Sequence, residues 1–238
     1  MASLVVLYED PGMLVVNKPG GMHTAPLRPG EAGTLLGMVI DAYPEVASVP
    51  GVKDIEPGLI HRLDRETSGA VVLARTPAAF AALRASFQSG GVRKGYCAVC
   101  GCPGRPAVRT LSIESRFAPF GPGRRMVRVV PADQGAANGV YRTDAEVTGV
   151  GGGHALVYAT ITRGFRHQVR AHLAFLGFPI VGDALYGSPP PEGREKRMYL
   201  HAARIELPHP VTGQPFVVES AVPPSFAALL EEGHDELS

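Results

Sequence analysis

The segment from Pro57 to Arg75 reads PGLIHRLDRETSGAVVLAR, and the interpretation of the chain turns on it. Its first half is polar and its second apolar: His61-Arg62-Leu63-Asp64 leads through Thr67-Ser68-Gly69 into the run Ala70 to Ala74. The run Val71-Val72-Leu73 has the pattern of a buried strand, so the polar half is a loop fed directly by a rigid element, a common seat for reactive groups. Asp64 stands between Arg62 and Arg65, and positive charge on both sides favours the ionised carboxylate. An ionised Asp suits a nucleophile or charge stabiliser better than a general acid. The plain alternative is a surface loop with ordinary ion pairs, which is what most R-x-D-R stretches are.

Toward the N-terminus, Leu4 to Tyr8 and Met13 to Asn17 are two β-rich runs around Glu9-Asp10-Pro11-Gly12, a hairpin signal. Lys18-Pro19-Gly20-Gly21 then breaks the strand and reads as structural, since Pro and Gly fix a backbone path. Thr34 to Tyr43 is a short helix with Leu35, Leu36, Val39 and Ile40 on one face and Pro44 as its stop.

Toward the C-terminus, Thr76 is an N-cap with Pro77 at the first helical position, Phe80, Leu83 and Phe87 recur at helical spacing, and Gly90-Gly91 ends the helix. Arg93 to Val99 resumes a strand whose alternation puts Lys94, Tyr96, Ala98 and Cys100 on one face. Between Gly101 and Val150 the chain is rich in Gly, Pro and Arg, with short strand-like runs at Val108 to Phe117, Met126 to Val130 and Tyr141 to Val147. Gly151-Gly152-Gly153 is a turn, lacking the Lys-Ser/Thr of a phosphate-binding loop. After a strand over Ala155 to Thr162, Val169, Leu173 and Leu176 form an apolar helical stripe, with Arg166 and Arg170 sharing another face at i, i+4.

Composition narrows the function classes. With 238 residues, 45% hydrophobic and 19% charged, the chain has the make-up of a folded globular protein. No apolar run reaches the ~18 residues of a membrane span, and MASLVVLYEDPGM has no basic region before its short apolar stretch, unlike a secretory leader. Three cysteines are an odd number, which argues against a disulfide framework and for a cytoplasmic location. Cys97, Cys100 and Cys102 lack a second ligand pair at zinc spacing, so no metal is expected. Net charge is only +1, but arginines cluster between Arg105 and Arg128 and again, with Lys196, between Arg163 and Arg204, while acids gather at the C-terminus. Such clustering is compatible with a phosphate-binding face or with ordinary solvated charge.

H-R-L-D-x-x-T-S-G resembles the signature of the RluA-like pseudouridine synthases, in which the Asp is the nucleophile; on that match Asp64 carries the chemistry. Lys94-Gly95-Tyr96-Cys97-Ala98-Val99 is similar to the second family motif, whose Tyr packs against the target base, and Tyr96 is also the candidate base for the C5 proton. Gly164 to Leu173, followed by Gly177, Pro179-Ile180-Val181-Gly182-Asp183 and Tyr186-Gly187, resembles the third motif. There the family places Arg after the Gly, whereas this chain has Phe165 with Arg166 one position later. Arg166 is thereby expected to take over the pairing with the catalytic Asp, with Arg163 or Arg62 as substitutes. Tyr199-Leu200-His201-Ala202 and His209-Pro210 resemble the closing segment, with Leu200 beneath the target base. His61, Arg62, Leu63, Arg163 and His167 complete the expected substrate-binding set. Arg124, Arg125 and Arg128 are expected on RNA phosphates.

The resemblance implies an α+β fold: a bent, mostly antiparallel mixed sheet with flanking helices and a central catalytic cleft. It spans residues 1–230 as one catalytic domain, with an acidic, flexible tail over 231–238 and no S4-like domain. It implies isomerisation of specific uridines in ribosomal or transfer RNA, without cofactor or metal, by a cytoplasmic monomer. Two rivals stand beside it: a non-catalytic RNA-binding or chaperone protein on the same scaffold, and a base-removing hydrolase using Asp64 with Glu66.

Overall fold

The computed structural model describes residues 3–102, 109–134, 139–151, 153–187, 189–190, 192–193 and 196–231. The acidic tail beyond Glu231, and Arg105 and Arg194 of the basic clusters, lie outside them. The chain forms two compact units: residues 1–94 with 202–221, and residues 95–201 with 222–238.

In the first unit, β1 (Val5–Glu9) and β2 (Met13–Lys18) form the expected hairpin, antiparallel from Val5 opposite Asn17 to Glu9 opposite Leu14. Asp10 makes the turn, its carboxylate accepting from the N–H groups of Gly12 at 2.8 Å and Met13 at 2.6 Å. β2 pairs antiparallel with β3 (Ser68–Ala74), which is buried along its whole length. That burial accounts for the unbroken apolar run in the sequence. β9 (Leu200–Pro208), mostly in this unit, pairs antiparallel with β10 (Pro215–Glu219). Met13, Val15, Val72, Leu83, Ile205 and Val218 fill the core between these strands and α2 (Pro77–Ser89). α2 has the ends its sequence announces: the Thr76 hydroxyl accepts from Ala79 N–H, Pro77 opens the helix, and Gly90 closes it at φ 80°. α1 (Leu35–Ala42) is capped by Thr34 in the same way and ends at Tyr43, before Pro44.

One glycine is fixed by close packing. Gly69, which begins the apolar half of the opening segment, has φ +119°, and a Cβ there would lie 2.3 Å from the carbonyl oxygen of Ala202. Only Gly lets β3 approach the neighbouring backbone so closely.

In the second unit, β7 (Tyr141–Gly151) lies between β8 (His154–Ile161) and β5 (Arg109–Phe120), and β5 pairs on its far side with β6 (Met126–Pro131). All three pairings are antiparallel. β4 (Arg93–Gly101), mostly in this unit, is almost wholly buried. α3 (Gln168–Phe175) and α4 (Ser225–Glu231) complete it. Phe117, Val127 and Ala171 form a small core to which Phe165, Tyr141, Val129 and Tyr186 add their rings and methyls. Mostly antiparallel strands with a few short helices make this an α+β fold.

The third-motif region departs from the expected helix. His167 has φ 58° and α3 starts only at Gln168. A residue in the left-handed region cannot continue a right-handed helix, so Arg166 and Arg170 share no helical face. Arg166 is exposed on the preceding loop, while Arg170 is buried and unavailable to the expected basic face.

Candidate active site

The Asp64 loop is held from within the first unit. Gly58 to His61 run alongside β3, with Ala74 N–H donating to Gly58 at 2.7 Å and Ile60 N–H to Val72 at 3.3 Å. His61 continues the contact with its side chain: Nε2 accepts from Val72 N–H at 3.1 Å and the ring stacks on Phe87. Burial, and secondarily the nearby Lys94 charge, push the His61 pKa down to about 3, so the ring is neutral and able to accept. One ring nitrogen of this expected substrate contact is thus engaged with β3, while the side chain stays partly exposed. Leu63 is buried, and the Thr24 hydroxyl clasps its backbone, donating to the carbonyl at 2.8 Å and accepting from the N–H at 3.2 Å.

Lys18 is the central fastening. It is fully buried at the end of β2, and its Nζ donates to the carbonyls of Pro19 at 2.8 Å, Met22 at 2.8 Å and Arg65 at 2.9 Å. Three acceptors match the three donors of an ammonium. Desolvation lowers its pKa to about 8, with the carboxylates of Glu66 and Asp64 pulling the other way. The Lys18-Pro19-Gly20-Gly21 stretch is the path-setting break its sequence suggests, but it acts through the lysine side chain, which ties the break to the residue after Asp64. The sequence signal for this duty is a lysine at the end of an apolar strand, where a cation needs a buried reason to be.

Asp64 itself is half-buried, and its carbonyl accepts from Thr67 N–H at 3.1 Å, closing the loop. The flanking arginines, expected to hold it ionised, have carboxylate partners of their own. Arg62 meets the buried Glu56 at 2.8 Å and Arg65 meets Glu66 at 3.2 Å. Lys94, a second buried cation outside the expected site, is nine-tenths buried near His61 and Phe87, and desolvation lowers its pKa to about 8.

The remaining expected residues fall mostly in the second unit. Tyr96 is buried on β4, and Leu200 is buried at the start of β9. Arg163 is exposed, with its guanidinium 5.8 Å from the Tyr141 ring centroid. Phe165 belongs to the core: it stacks on Phe117 at 5.0 Å, nearly parallel, and tilts against Tyr141. Arg166 donates from Nη2 to the carbonyls of Arg124 at 2.8 Å and Met126 at 3.2 Å. His167 faces Tyr186, Nδ1 lying 3.1 Å from its hydroxyl. Among the described residues no cluster of His, Cys, Asp and Glu could hold a metal, and Cys97, Cys100 and Cys102 are buried free thiols.

Two buried polar assemblies fix this loop. In one, His172 lies between Ser115 (Nε2 to Oγ, 2.7 Å) and Thr143 (Nδ1 to Oγ1, 2.7 Å). Gln168 then bridges from Thr143 to Phe165 N–H, which it accepts at 2.9 Å. Burial lowers the His172 pKa to about 4, keeping the ring neutral. In the other, Arg170 and Asp183 form a buried bidentate pair with both contacts at 2.7 Å. Burial alone would raise the Asp183 pKa, but Arg170 and the N–H groups of Leu185 and Tyr186 outweigh it and the net shift is downward.

Comparison with known proteins bears on the family and the fold. The RNA pseudouridylate synthase family model matches residues 12–175. The ribosomal large subunit pseudouridine synthase D of Pseudomonas aeruginosa is 32% identical over 241 residues, covering 95% of this chain and 71% of that protein. An uncharacterised RNA pseudouridine synthase of Chloroflexus aurantiacus is 35% identical over 224 residues, 93% of this chain and 67% of its own. The solved structure of human RNA Pseudouridylate Synthase Domain Containing 1 superposes with a TM-score of 0.73 at 26% identity, covering 95% of this chain and 87% of that one. No helix among the described residues is long and apolar enough to cross a membrane. A match running from the β1–β2 turn to the end of α3, over the Asp64 loop and the Gln168–His172 network alike, makes this chain a member of the RNA pseudouridine synthase family and an isomerase of RNA.

Proposed function

We propose that this chain isomerises specific uridines of large-subunit ribosomal RNA, with Asp64 as nucleophile, its two units together forming one catalytic domain. The observation that carries the reading is the Asp64 loop, a half-buried carboxylate on backbone fastened by Lys18, Thr24 and β3. A nucleophile held by rigid elements loses little freedom on reaching the transition state. The ribosomal assignment rests on likeness to the pseudomonad synthase, whose name states its substrate class.

The reaction balances within the RNA. The target uridine leaves its stack, at a cost of a few kcal/mol, and Asp64 adds to it at the ribose C1′ or the uracil C6. The N-glycosidic bond breaks, the uracil turns, C5 bonds to C1′, and the bond between the Asp64 oxygen and the nucleotide breaks, returning the carboxylate. The C5 proton then departs and N1 gains one, so no oxidant, reductant or group carrier is consumed. Tyr96 is the proposed acceptor of the C5 proton and the platform for the base. Arg62, Arg163 and His167 are proposed to contact the nucleotide and its phosphates, and Leu200 to pack beneath the base. Arg166, the cation expected opposite Asp64, donates to two carbonyls of the β5–β6 hairpin.

The test is tritium release from an unmodified in vitro transcript of large-subunit ribosomal RNA carrying 5-tritiated uridine. Wild type is expected to release tritium, and Asp64→Asn to lose at least ~10⁴-fold in rate, the scale on which nucleophiles count. Release of free uracil would instead assign a hydrolase. Binding without tritium release from this transcript, total RNA or transfer RNA would assign a non-catalytic RNA-binding protein.

A further inference from the structure

The loop of the third motif and the β5–β6 hairpin are joined by three consecutive residues, all within the second unit. Phe165 stacks on Phe117 of β5 at 5.0 Å. Arg166 Nη2 holds the carbonyls of Arg124 and Met126 at the hairpin tip, at 2.8 and 3.2 Å. His167 reaches Tyr186, whose hydroxyl accepts from Val127 N–H at 2.6 Å on β6.

The hairpin so held is chemically distinctive. Between Phe117 and Gln134 it carries Arg124, Arg125 and Arg128 against Asp133 alone. All three arginines are exposed. Phe120, beside them, is half exposed, leaving an aromatic face open next to the cations. The tip backbone is bent: Gly121, Gly123 and Arg124 all have positive φ. For Arg124, which unlike the two glycines carries a Cβ, the left-handed conformation persists only where other interactions hold it. The Arg166 bond to the Arg124 carbonyl is one of these. Arginines with an open aromatic ring are the combination that takes a nucleic-acid backbone and stacks an unpaired base.

We propose that the β5–β6 hairpin tip is a docking element for the backbone of the substrate RNA, and that Arg166 is the positioning residue that latches it to the third motif. This rests on the reading of the substrate as RNA. The motif cation is thereby used to shape the binding surface, and Phe165, where the family has Arg, supplies the apolar half of the same joint.

The experiment is a double-mutant cycle of Arg166→Ala with the pair Arg125→Gln/Arg128→Gln. It reads Kd for the same unmodified ribosomal transcript at several salt concentrations, and the single-turnover rate at saturating RNA. The Arg125/Arg128 pair is expected to lower the salt slope by about 1 for each phosphate no longer neutralised. Arg166→Ala is expected to raise Kd and KM by ~10-fold and to lower the slope as well, since neutralised phosphates set it, with the saturating rate falling less than about threefold. Combining the changes is expected to add little to either alone. Arg166→Lys, which still donates to a carbonyl, is expected to recover most of the affinity, separating a broken latch from a misfolded loop. Three results overturn the latch: a large loss in saturating rate at unchanged Kd and slope, full additivity across the cycle, or no recovery by Lys in a variant that is folded. Wild type that binds with the coupling intact but releases no tritium would leave the latch standing and remove the isomerase reading.

Discussion

The two loops that carry the family motifs are both held by buried polar groups, but by opposite electrostatic means. The Asp64 loop hangs on a cation: Lys18 is fully buried and gives its three protons to three carbonyls. The Arg163–Gln168 loop hangs on neutral groups, a His172 ring between two hydroxyls and a Gln168 amide, backed by the closed ion pair of Arg170 and Asp183. A buried ammonium tolerates no loss of a carbonyl partner, while a neutral imidazole tolerates no gain of a proton. The first loop should therefore be sensitive to alkali and to removal of one side chain, and the second to acid.

The largest effect is expected from Lys18→Met, which keeps the length of the stem and removes the donors. Three carbonyls then lose the charged donor they share, a cost of about 3–5 kcal/mol by the scale of hydrogen bonds to a charged group. Urea denaturation should show it as a lower midpoint, and the rate of tritium release should fall with it because the Arg65 carbonyl adjoins Asp64. The pH response of wild type has a sign of its own. The Lys18 pKa is lowered to about 8, so between about 8 and its unfolded value the unfolded chain binds more protons, and this group's contribution to stability rises with pH. Activity should move the other way, since the deprotonated amine can donate to at most two of the three carbonyls. An activity limb that falls near pH 8, in a protein that is not losing stability there, would set the loop fastening apart from general alkaline unfolding. Parallel loss of both would break the comparison.

Acid should act on the other loop. His172 is neutral when folded, with a pKa lowered to about 4 by burial. Its stabilising contribution is complete above the unfolded value near 6.5 and is lost progressively as pH falls toward 4, because the unfolded chain takes up the proton first. The full loss is on the order of 3 kcal/mol. His61, in the first unit, is lowered to about 3 by the same cause and adds to acid lability. Thermal unfolding of wild type and His172→Gln between pH 7 and pH 4 isolates the second loop. The variant starts less stable and should lose less on acidification. Equal slopes would mean that the His172 site does not report on this window.

Legibility follows the same division between local and distant causes. Thr76, Pro77 and Gly90 bound α2, and Asp10 makes the β1–β2 turn, because caps and turns are written within a few residues of where they act. Asp64 stands out in the sequence because its motif is contiguous. The Lys18 duty is signalled only by a cation at the end of an apolar strand, because its partners are carbonyls at positions 19, 22 and 65, and a carbonyl carries no residue identity. The break before α3 is hidden because His167 at φ 58° is a non-Gly residue in a region usually signalled by Gly or Asn. Arg170 reads as part of a basic face because Asp183 lies 13 positions away, beyond any helical spacing.

Tyr186 tests how far such a distant fastening reaches, and its effect should be the smallest. Its hydroxyl accepts from the N–H of Val127 in β6 and meets the ring of His167, so one oxygen serves both the hairpin and the left-handed residue that precedes α3. Tyr186→Phe keeps the ring against Arg170 and leaves the buried Val127 N–H without its acceptor, a loss of about 1–2 kcal/mol. If that oxygen only completes the core, thermal unfolding will register the loss and the affinity for RNA will not. If it helps carry the hairpin, the Kd will rise by a few-fold and part of that rise will vanish in Arg166→Ala, because both side chains act on the same joint. A purely thermal effect would narrow the joint to Phe165 and Arg166, and a coupled one would extend it to the whole of the third motif.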